Sequence, residues 1–277
     1  MAVILDGKKL STEILDGLAK KIEKEGKKPH LVVVLVGENP ASELYVGMKE
    51  KTAQKICMRS TVLKYPADMT EESLLSKIQE LNEDDFVHAV LIQLPLPKHI
   101  NEQKVIQAIN PKKDVDGFHP ENIGKISIGA EPYAYPCTPY GMIKLLDKYN
   151  IDLAGKHAVV VGRSNIVGKP MAQLLLNKNA TVTICHSYTK NLEEITKTAD
   201  VLIAAVGKPK FIKKEMIKPG CVVVDAGTSK FEGKTVGDVD FEGVNEVASH
   251  LTPVPGGVGP MTIACLMENA YELSKLN

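Results

Sequence analysis

The stretch Ala158-Val-Val-Val-Gly-Arg-Ser-Asn-Ile-Val-Gly-Lys-Pro170 decides how the second half of the chain folds. Apolar residues lead directly into Gly162, and a second glycine, Gly168, opens an amphipathic run. This order predicts a buried parallel strand, a tight turn and the start of a helix, as in nucleotide-binding βαβ units. Gly162 can adopt the backbone angles of a sharp turn, and Gly168 permits close packing of the helix on the strand. Backbone N–H groups at the start of the helix would then face an anionic diphosphate.

The spacing of these glycines departs from the usual dinucleotide pattern, because Ser164 replaces the second glycine and Gly168 comes one residue late. A strand-to-helix turn that binds no ligand can have the same local sequence, since isolated glycine motifs are weakly specific. The rest of the chain therefore has to decide between a nucleotide site and a plain turn.

The composition indicates a globular protein with no polyanion-binding surface. The 277 residues suffice for one large or two modest domains, and the 34 basic residues balance the 34 acidic ones. This balance argues against nucleic acid as a partner. An early charge at Asp6 argues against a signal peptide, and no apolar run approaches the length of a membrane span. The cysteines are odd in number and never form a C-x-x-C pair, which predicts buried thiols in a reducing cytoplasm.

Strands and helices alternate along both halves of the chain, which predicts an α/β fold with parallel sheets in two domains. The predicted strands are residues 31–36, 61–63, 87–93, 157–161, 181–185, 201–206 and 221–225. The predicted helices include residues 10–22, 40–56, 70–81, 140–148 and 260–276. Between Pro111 and Pro139, prolines and glycines interrupt any sustained period, so we expect a long loop that is functional and also connects the domains.

Three polar side chains stand where an open α/β sheet places its ligands. Tyr45 and Lys49 share one face of the helix that follows the strand 31–36, where Lys49 could act as an acid, a base or a charge stabiliser. A solvated lysine whose stem lies over the tyrosine is the alternative. Gln93 ends an apolar run, so its amide needs a partner, which a backbone group could also supply.

Asp114 and Asp116 lie in the long loop. Carboxylates at this spacing could bind a metal, cap a turn with the help of Gly117, or accept hydrogen bonds from the amino edge of a heterocycle. No histidine, cysteine or third acid lies close by in the sequence, so we expect no metal site.

The segment after the strand 181–185 bears on the choice of dinucleotide. An NAD site often places a carboxylate there to hold the ribose hydroxyls, whereas this chain has Ser187 and Lys190, and Arg163 lies in the glycine turn. Cations without a carboxylate favour a 2′-phosphate, and hence NADP over NAD. An ordinary polar loop is the alternative.

Taken together, these segments resemble the bifunctional methylenetetrahydrofolate dehydrogenase/cyclohydrolase family. The matching stretches occur in the family's order over nearly the whole chain. They are Asn39-Pro-Ala-Ser-Glu-Leu-Tyr-Val-Gly-Met-Lys49, Gln93-Leu-Pro-Leu-Pro97, Lys113-Asp-Val-Asp-Gly-Phe118, Pro136-Cys-Thr-Pro139, Gly162-Arg-Ser-Asn-Ile-Val-Gly168 and Thr252-Pro-Val-Pro-Gly-Gly-Val-Gly-Pro-Met-Thr262.

The resemblance implies a folate-binding catalytic domain, residues 1–138 plus 259–277, and a Rossmann-like NAD(P) domain, residues 139–258. It also implies a homodimer, and an active site in the cleft between the domains. Catalysis and folate binding would fall to Lys49, Tyr45, Gln93, Asp116, Pro255 and Gly256. Cofactor binding would fall to Gly162, Arg163, Ser164, Ser187 and Thr228.

The expected reaction is the NADP-dependent oxidation of 5,10-methylenetetrahydrofolate, followed by hydrolysis of the methenyl product to 10-formyltetrahydrofolate. Thr228 stands where the family usually has isoleucine, and Tyr188 where arginine is common, so the choice between NADP and NAD stays open. A dehydrogenase without the hydrolase activity is one alternative. A dinucleotide-binding regulator without catalysis is another.

Overall fold

The computed structural model describes residues 1–276. The strands in this part of the chain are β1 (Val3–Ile4), β2 (His30–Val36), β3 (Arg59–Tyr65), β4 (Ala89–Ile92), β5 (His157–Val161), β6 (Thr181–Cys185), β7 (Val201–Ala204), β8 (Val222–Asp225), β9 (Ser229–Phe231), β10 (Lys234–Val236) and β11 (His250–Leu251). The α-helices are α1 (Gly7–Glu25), α2 (Pro40–Lys55), α3 (Glu71–Glu83), α4 (Glu102–Ala108), α5 (Pro120–Ser127), α6 (Cys137–Lys148), α7 (Gly168–Asn177), α8 (Leu192–Thr196), α9 (Phe241–Asn245) and α10 (Val258–Leu273).

These elements form two compact α/β units, which confirms the predicted fold class. The six-stranded unit comprises Met1–Thr12 and Pro136–Cys265. The three-stranded unit comprises Glu13–Tyr135 and the described residues from Leu266 onward. The boundaries of the folate and nucleotide domains given above concern binding functions and stay a prediction. Within residues 1–276, no helix is both long and apolar enough to cross a membrane.

The sheet of the three-stranded unit is parallel, in the order β3-β2-β4. Every residue of the central strand β2 is buried, as expected for a continuous apolar run covered on both faces. On one face, Val32, Val34 and Val36 belong to the same core cluster as Leu74 and Ile78 of α3. This packing fixes the carboxyl ends of β2 and β4 at one edge of the sheet.

Helix α2 begins close to the end of β2, as the sequence predicts. The Asn39 Oδ1 atom accepts hydrogen bonds from the backbone N–H groups of Ala41, at 3.0 Å, and Ser42, at 3.1 Å. Pro40 takes the first helical position, where its missing N–H group is not needed. The cap therefore sets where the helix starts and which of its residues face the sheet edge.

The prediction of an irregular loop from Pro111 to Pro139 was wrong in part. Helix α5 lies inside this segment, and α6 begins at Cys137 rather than at residue 140. His119 caps α5 through its Nδ1 atom, which accepts from the N–H of Glu121 at 3.1 Å. The helix has only 8 residues and contains Gly124, so it is too short to show a helical period in the sequence.

The sheet of the six-stranded unit is parallel, in the order β1-β11-β8-β7-β5-β6. Strand β5 lies between β6 and β7, so Val161 is in register with Cys185 on one side and Ala204 on the other. The chain thus passes from β5 to β6 on one side of β5 and then crosses to β7 and β8 on the other side. In open parallel sheets, ligands bind at this reversal, beyond the carboxyl ends of the strands.

The four strands predicted for this half are confirmed to within two residues at their ends. The shorter elements were not predicted. Among them are β1, which pairs with β11 through Val3 and His250, and the β9–β10 hairpin, which turns at Glu232 and Gly233 with positive φ angles. Strands of two or three residues are too short for alternation to be recognised.

Candidate functional site

The three-stranded unit brings Lys49, Gln93 and Asp116 to the carboxyl edge of its sheet. Lys49 lies on the helix that follows β2, and Gln93 directly follows β4. An isolated parallel bridge pairs Val90 of β4 with Asp114, and Asp116 follows two residues later. All three residues thus follow strands of the same parallel sheet or its bridged segment, on the side where such sheets bind ligands.

Lys49 and Gln93 are in direct contact. The Lys49 Nζ atom donates a hydrogen bond to the Gln93 Oε1 atom at 3.0 Å, and Lys49 is only 9% exposed. The Gln93 Nε2 atom donates to the carbonyl of Leu94 at 2.7 Å, while the backbone N–H of Gln93 donates to Val34 at 2.9 Å. The side-chain amide is thus hydrogen-bonded through both its nitrogen and its oxygen. The expectation that this amide is paired is confirmed.

The charge of Lys49 acts on the pKa of the Asp116 carboxyl. Burial raises the pKa of the Asp116 carboxyl, and the positive charge of Lys49 partly opposes that rise. A carboxylate in such surroundings gains from any ligand that brings hydrogen-bond donors, because its own solvation is incomplete. This arrangement suits the amino edge of a heterocycle.

The neighbouring Asp114 has a structural role. Its Oδ1 atom accepts from the N–H of Gly117 at 3.2 Å, and its Oδ2 atom accepts from His119 at 2.7 Å and from Asn122 at 3.0 Å. Gly117 has a φ of +73°, the left-handed region that favours glycine. Burial raises the pKa of Asp114 to about 6. The turn-capping alternative thus applies to Asp114, which leaves Asp116 for a ligand.

Two residues that support this loop were missed by the sequence analysis. Lys113 is buried, and its Nζ atom donates to the carbonyls of Leu81 at 3.1 Å and Asp84 at 2.8 Å at the end of α3. Asn122 donates to Asp114 and accepts from the N–H of Tyr133 at 3.0 Å. Since both contacts join distant segments, no local pattern in the sequence indicates them.

Tyr45 lies one helical turn before Lys49 on α2. Its side chain is 38% exposed, and its neighbours Leu44 and Met48 are also exposed. The exposed face of α2 therefore carries an aromatic and apolar surface next to the buried lysine.

The glycine turn of the six-stranded unit is built as the sequence predicts. Gly162 has a φ of +131°, and a Cβ atom there would lie 2.1 Å from the carbonyl oxygen of Ala205. A Cβ atom on Gly168 would lie 2.2 Å from the carbonyl oxygen of Gly162. Neither position can hold a larger residue without moving the backbone, so both glycines are explained by close packing.

Ser164 accepts hydrogen bonds from the backbone N–H groups at the start of α7. Its Oγ atom accepts from the N–H groups of Val167, at 3.1 Å, and Gly168, at 3.3 Å, and its carbonyl accepts from Lys169 at 3.0 Å. Pro170 has no N–H group. The N–H groups at this helix start were predicted to face a diphosphate, whereas the Ser164 side chain already accepts from those of Val167 and Gly168. Arg163 remains exposed at the same turn.

Arg163 and Tyr188 meet across the ends of β5 and β6. Because Val161 pairs with Cys185, the residues that follow these strands leave the sheet side by side. The guanidinium carbon of Arg163 lies 5.6 Å from the centroid of the Tyr188 ring, and Tyr188 is 79% exposed. Ser187 is exposed in the same turn. These three residues supply a guanidinium, a serine hydroxyl and the ring of a tyrosine.

Thr228, Pro255 and Gly256 lie in loops of the six-stranded unit. Thr228 is exposed after β8. Gly256 has a φ of +110°, and its carbonyl accepts from the N–H of Lys8 at 2.8 Å. Pro255 is exposed and follows a cis peptide bond. Among the described residues, no cluster of three or more His, Cys, Asp or Glu side chains could hold a metal ion.

Family models match both parts of the chain. Residues 5–116 match the catalytic domain of tetrahydrofolate dehydrogenase/cyclohydrolase, and residues 136–277 match its NAD(P)-binding domain. The bifunctional protein FolD of Enterococcus faecalis is 54% identical over 279 residues, which cover 99% of each chain. That of Pediococcus pentosaceus is 55% identical over 280 residues, with the same coverage.

Solved structures agree with this assignment. The FolD methylenetetrahydrofolate dehydrogenase/cyclohydrolase of Campylobacter jejuni superposes with a TM-score of 0.97 at 48% identity, covering 100% of this chain and 99% of that one. The Trypanosoma brucei enzyme, solved with NADP and an inhibitor, gives a TM-score of 0.95 at 36% identity, covering 99% and 98%. The sequence motifs, the fold and these matches agree, and the chain belongs to the tetrahydrofolate dehydrogenase/cyclohydrolase family.

Proposed function

We propose that this chain oxidises 5,10-methylenetetrahydrofolate to 5,10-methenyltetrahydrofolate with NADP, and then hydrolyses that product to 10-formyltetrahydrofolate. One observation carries the proposal: the buried ammonium of Lys49 is held at 3.0 Å by Gln93 and interacts electrostatically with Asp116. A proton-transfer group and an acceptor for a heterocycle are thus combined at one edge of the sheet. The names of the relatives, bifunctional protein FolD, support the same reaction pair.

In this proposal, the folate is bound mainly by the three-stranded unit. The carboxylate of Asp116 accepts hydrogen bonds from the amino edge of the pterin, because incompletely solvated carboxylates form strong charge-assisted bonds. The ring of Tyr45 offers an aromatic face to the substrate. Pro255 and Gly256 complete the assignment of substrate-binding residues.

The residues of the six-stranded unit fit a dinucleotide. Its glycine turn has no room for a Cβ atom at Gly162 or Gly168, so the backbone stays close-packed at the switch in strand order. Arg163 and Ser187 follow the paired ends of β5 and β6, where they suit a 2′-phosphate, and positions 186–191 contain no acidic residue. We assign Ser164 and Thr228 to the same cofactor. NAD is the alternative, since Tyr188 contributes no charge.

The first step removes one hydride, with its electron pair, from the methylene carbon of the substrate. NADP supplies the hydride acceptor when it is bound. The chain contributes orientation and not covalent chemistry, because direct transfer needs only that donor and acceptor be held face to face. Asp116 fixes the pterin, and the glycine turn and Arg163 fix the nucleotide.

The second step adds water to the methenyl carbon. The oxygen of the water forms a bond to that carbon, and the bond from the carbon to N5 breaks. One proton of the water ends on N5, and the other is released to solvent. Lys49 assists these proton transfers through its Nζ atom, and Gln93 keeps that atom in place.

The test is a comparison of both activities in Lys49→Met and Lys51→Met. Lys51 is exposed on the same helix and serves as the matched control. Absorbance is followed with methylenetetrahydrofolate and NADP, then with NAD, and methenyl hydrolysis is followed without any nucleotide. We expect Lys49→Met to lose hydrolysis by roughly a hundred-fold or more, as on removal of an acid–base group, while Lys51→Met matches the wild type.

Other results would lead to a different function. Oxidation without any hydrolysis in the wild type would indicate a dehydrogenase alone. No absorbance change with any folate would leave a nucleotide-binding regulator. Hydrolysis that survives in Lys49→Met would remove Lys49 from its assigned role.

We also propose that the protein is a homodimer in the cytoplasm. Strand β6 is an outer strand of its sheet, and Ile184 on this strand is exposed, as is the nearby Leu176 of α7. Such an apolar edge is a common pairing surface. None of the five cysteines, all of which lie within the described residues, forms a disulfide, which fits a reducing compartment. Light scattering after size-exclusion chromatography tests the dimer, and a monomeric mass at micromolar concentration would contradict it.

A further inference from the structure

A second carboxylate cluster lies away from Lys49, in the six-stranded unit. Asp238 is fully buried, with 0% exposure. Its Oδ2 atom accepts hydrogen bonds from the backbone N–H groups of Val206 at 2.6 Å and Gly207 at 2.9 Å. These two residues form the turn after β7. Asp238 therefore ties this turn to the segment that follows the β9–β10 hairpin.

Asp225 holds Asp238 in place. The Oδ1 atom of Asp225 accepts from the N–H groups of Gly227 at 2.8 Å and Asp238 at 2.9 Å, and its Oδ2 atom accepts from Val239 at 2.9 Å. The N–H of Asp225 itself donates to the Thr252 hydroxyl at 2.7 Å. Asp225 at the end of β8 thus binds the backbone of Asp238, and the side chain of Asp238 in turn binds the turn after β7.

The turn after β8 rests directly on the side chain of Asp238. A Cβ atom on Gly227 would lie 2.2 Å from the Cγ atom of Asp238 and 2.3 Å from its Oδ1 atom. Among the described residues, no hydrogen-bond partner is present for that Oδ1 atom. Such an arrangement is costly for a buried carboxylate, so it calls for a reason beyond stability.

The topology shows which half of a dinucleotide these turns would meet. Strands β7 and β8 are neighbours, with Ala204 opposite Asp225, and they lie on the other side of β5 from β6. A dinucleotide whose adenosine ribose lies at Ser187, beyond β6, must extend its second nucleotide over the turns after β7 and β8. Thr228 lies in the second of these turns.

We propose that Asp238 is a positioning residue for the nicotinamide half of the cofactor. It sets the separation of the turns at residues 205–208 and 226–228 by bonding to the first and supporting Gly227 of the second. It acts through these turns and does not touch the cofactor. The inference rests on the proposed function, because it takes NADP as the ligand of this sheet edge.

The experiment compares Asp238→Ala and Asp238→Asn with Asp240→Asn as the matched control. Asp240 is a nearby carboxylate whose side chain caps no helix. Each protein is titrated with NADPH by fluorescence, and its kcat and its KM for NADP are measured in the dehydrogenase assay. Nucleotide-free hydrolysis of methenyltetrahydrofolate reports whether the fold is intact.

For Asp238→Ala, we expect Kd for NADPH and KM for NADP to rise by roughly ten- to a hundred-fold, as when a charge-assisted hydrogen bond is lost. Nucleotide-free hydrolysis should stay within about two-fold of the wild type, because its catalytic group lies in the three-stranded unit. Asp238→Asn keeps one acceptor oxygen and should recover part of the loss, and Asp240→Asn should match the wild type.

The proposal fails if Asp238→Ala binds NADPH like the wild type, or if both activities fall by the same factor. If Asp238→Ala does not fold, the Kd of Asp238→Asn decides, and a wild-type value there also overturns the proposal. A wild type that does not oxidise the folate would instead defeat the proposed function. The NADPH titration would still test Asp238 in that case.

Discussion

The Lys49 Nζ atom and the Gln93 Oε1 atom lie 3.0 Å apart, although one belongs to α2 and the other to the residue after β4. The Gln93 side-chain amide also donates to the carbonyl of Leu94, and the Gln93 backbone N–H donates to the carbonyl of Val34. An ammonium that is almost fully buried is thus directed by a rigid neutral acceptor. Such a pair orients the nitrogen without cancelling its charge, which suits a group that must exchange protons.

Replacing Gln93 with Met should remove this orientation at nearly constant volume. We expect methenyl hydrolysis to fall by roughly ten- to a hundred-fold, since a charged hydrogen bond is lost and Nζ is no longer held. Oxidation should fall less, because hydride transfer needs no proton from Nζ. Both rates are measured on one preparation, with the exposed Gln103→Met as control. Equal losses in the two rates would contradict the assignment.

Replacing Asp116 with Asn should weaken folate binding without lowering the free energy of unfolding. Burial raises the pKa of this carboxyl, so its charged form is less favourable in the folded protein than in the unfolded chain. We expect the folate KM to rise by about ten-fold or more, since a charge-assisted bond becomes neutral, while the free energy of unfolding stays equal or increases. Steady-state kinetics and urea denaturation measure the two quantities. An unchanged KM would exclude Asp116 from folate binding.

Replacing Tyr188 with Arg should change the choice of nucleotide. The Tyr188 ring now lies against Arg163 and adds no charge, so the variant would supply a second cation at the same corner. We expect the ratio of kcat/KM for NADP to that for NAD to rise by about ten-fold, the value of one additional charged hydrogen bond. Tyr188→Phe retains the ring and should leave the ratio unchanged. A ratio that does not respond to Tyr188→Arg would place the 2′-phosphate elsewhere.

Titration of Asp225 should make the free energy of unfolding depend on pH. Burial raises its pKa from the ordinary 3.8 to about 6, so the folded protein binds this proton more tightly than the unfolded chain does. The contribution of this group to the free energy of unfolding is therefore largest below pH 3.8 and is lost as the pH rises through about 6. From that shift the loss amounts to about 3 kcal/mol.

Urea denaturation between pH 4 and pH 7 tests this prediction by comparison with Asp225→Asn. The variant should be less stable overall, because it keeps only one acceptor oxygen, but its stability should fall less steeply with pH over this range. Parallel curves for the two proteins would show that Asp225 does not titrate there.

The sequence was sufficient for the features that rest on local pattern. The apolar run of β2, the start of α2 at residue 40 and the glycine turn at Gly162 each involve neighbouring residues with strong conformational preferences. The pairing of Gln93 also followed from a local argument, because an amide in an apolar run must find a partner. That the partner is Lys49 depends on the sheet register, which no single segment contains.

The features that the sequence did not give depend on distant residues or on short elements. Helix α5 is held through Asn122 and Asp114, not by a long apolar stripe. The bonds that Asp238 accepts from Val206 and Gly207 join residues 32 and 31 positions apart, and bonds over such a separation follow no spacing rule, unlike local caps and turns.

The anchoring of the loop at Lys113 and Asp114 has a consequence for ligand recognition. The residues on either side of Val115 differ in role. Lys113 is held by the end of α3 and Asp114 by the turn at Gly117, whereas Asp116 is the residue of this loop that we propose as the folate acceptor. Binding of a heterocycle at Asp116 would therefore require little further ordering of the loop backbone. The entropy of ordering this acceptor is already spent during folding, so association at this edge should show little change in backbone mobility.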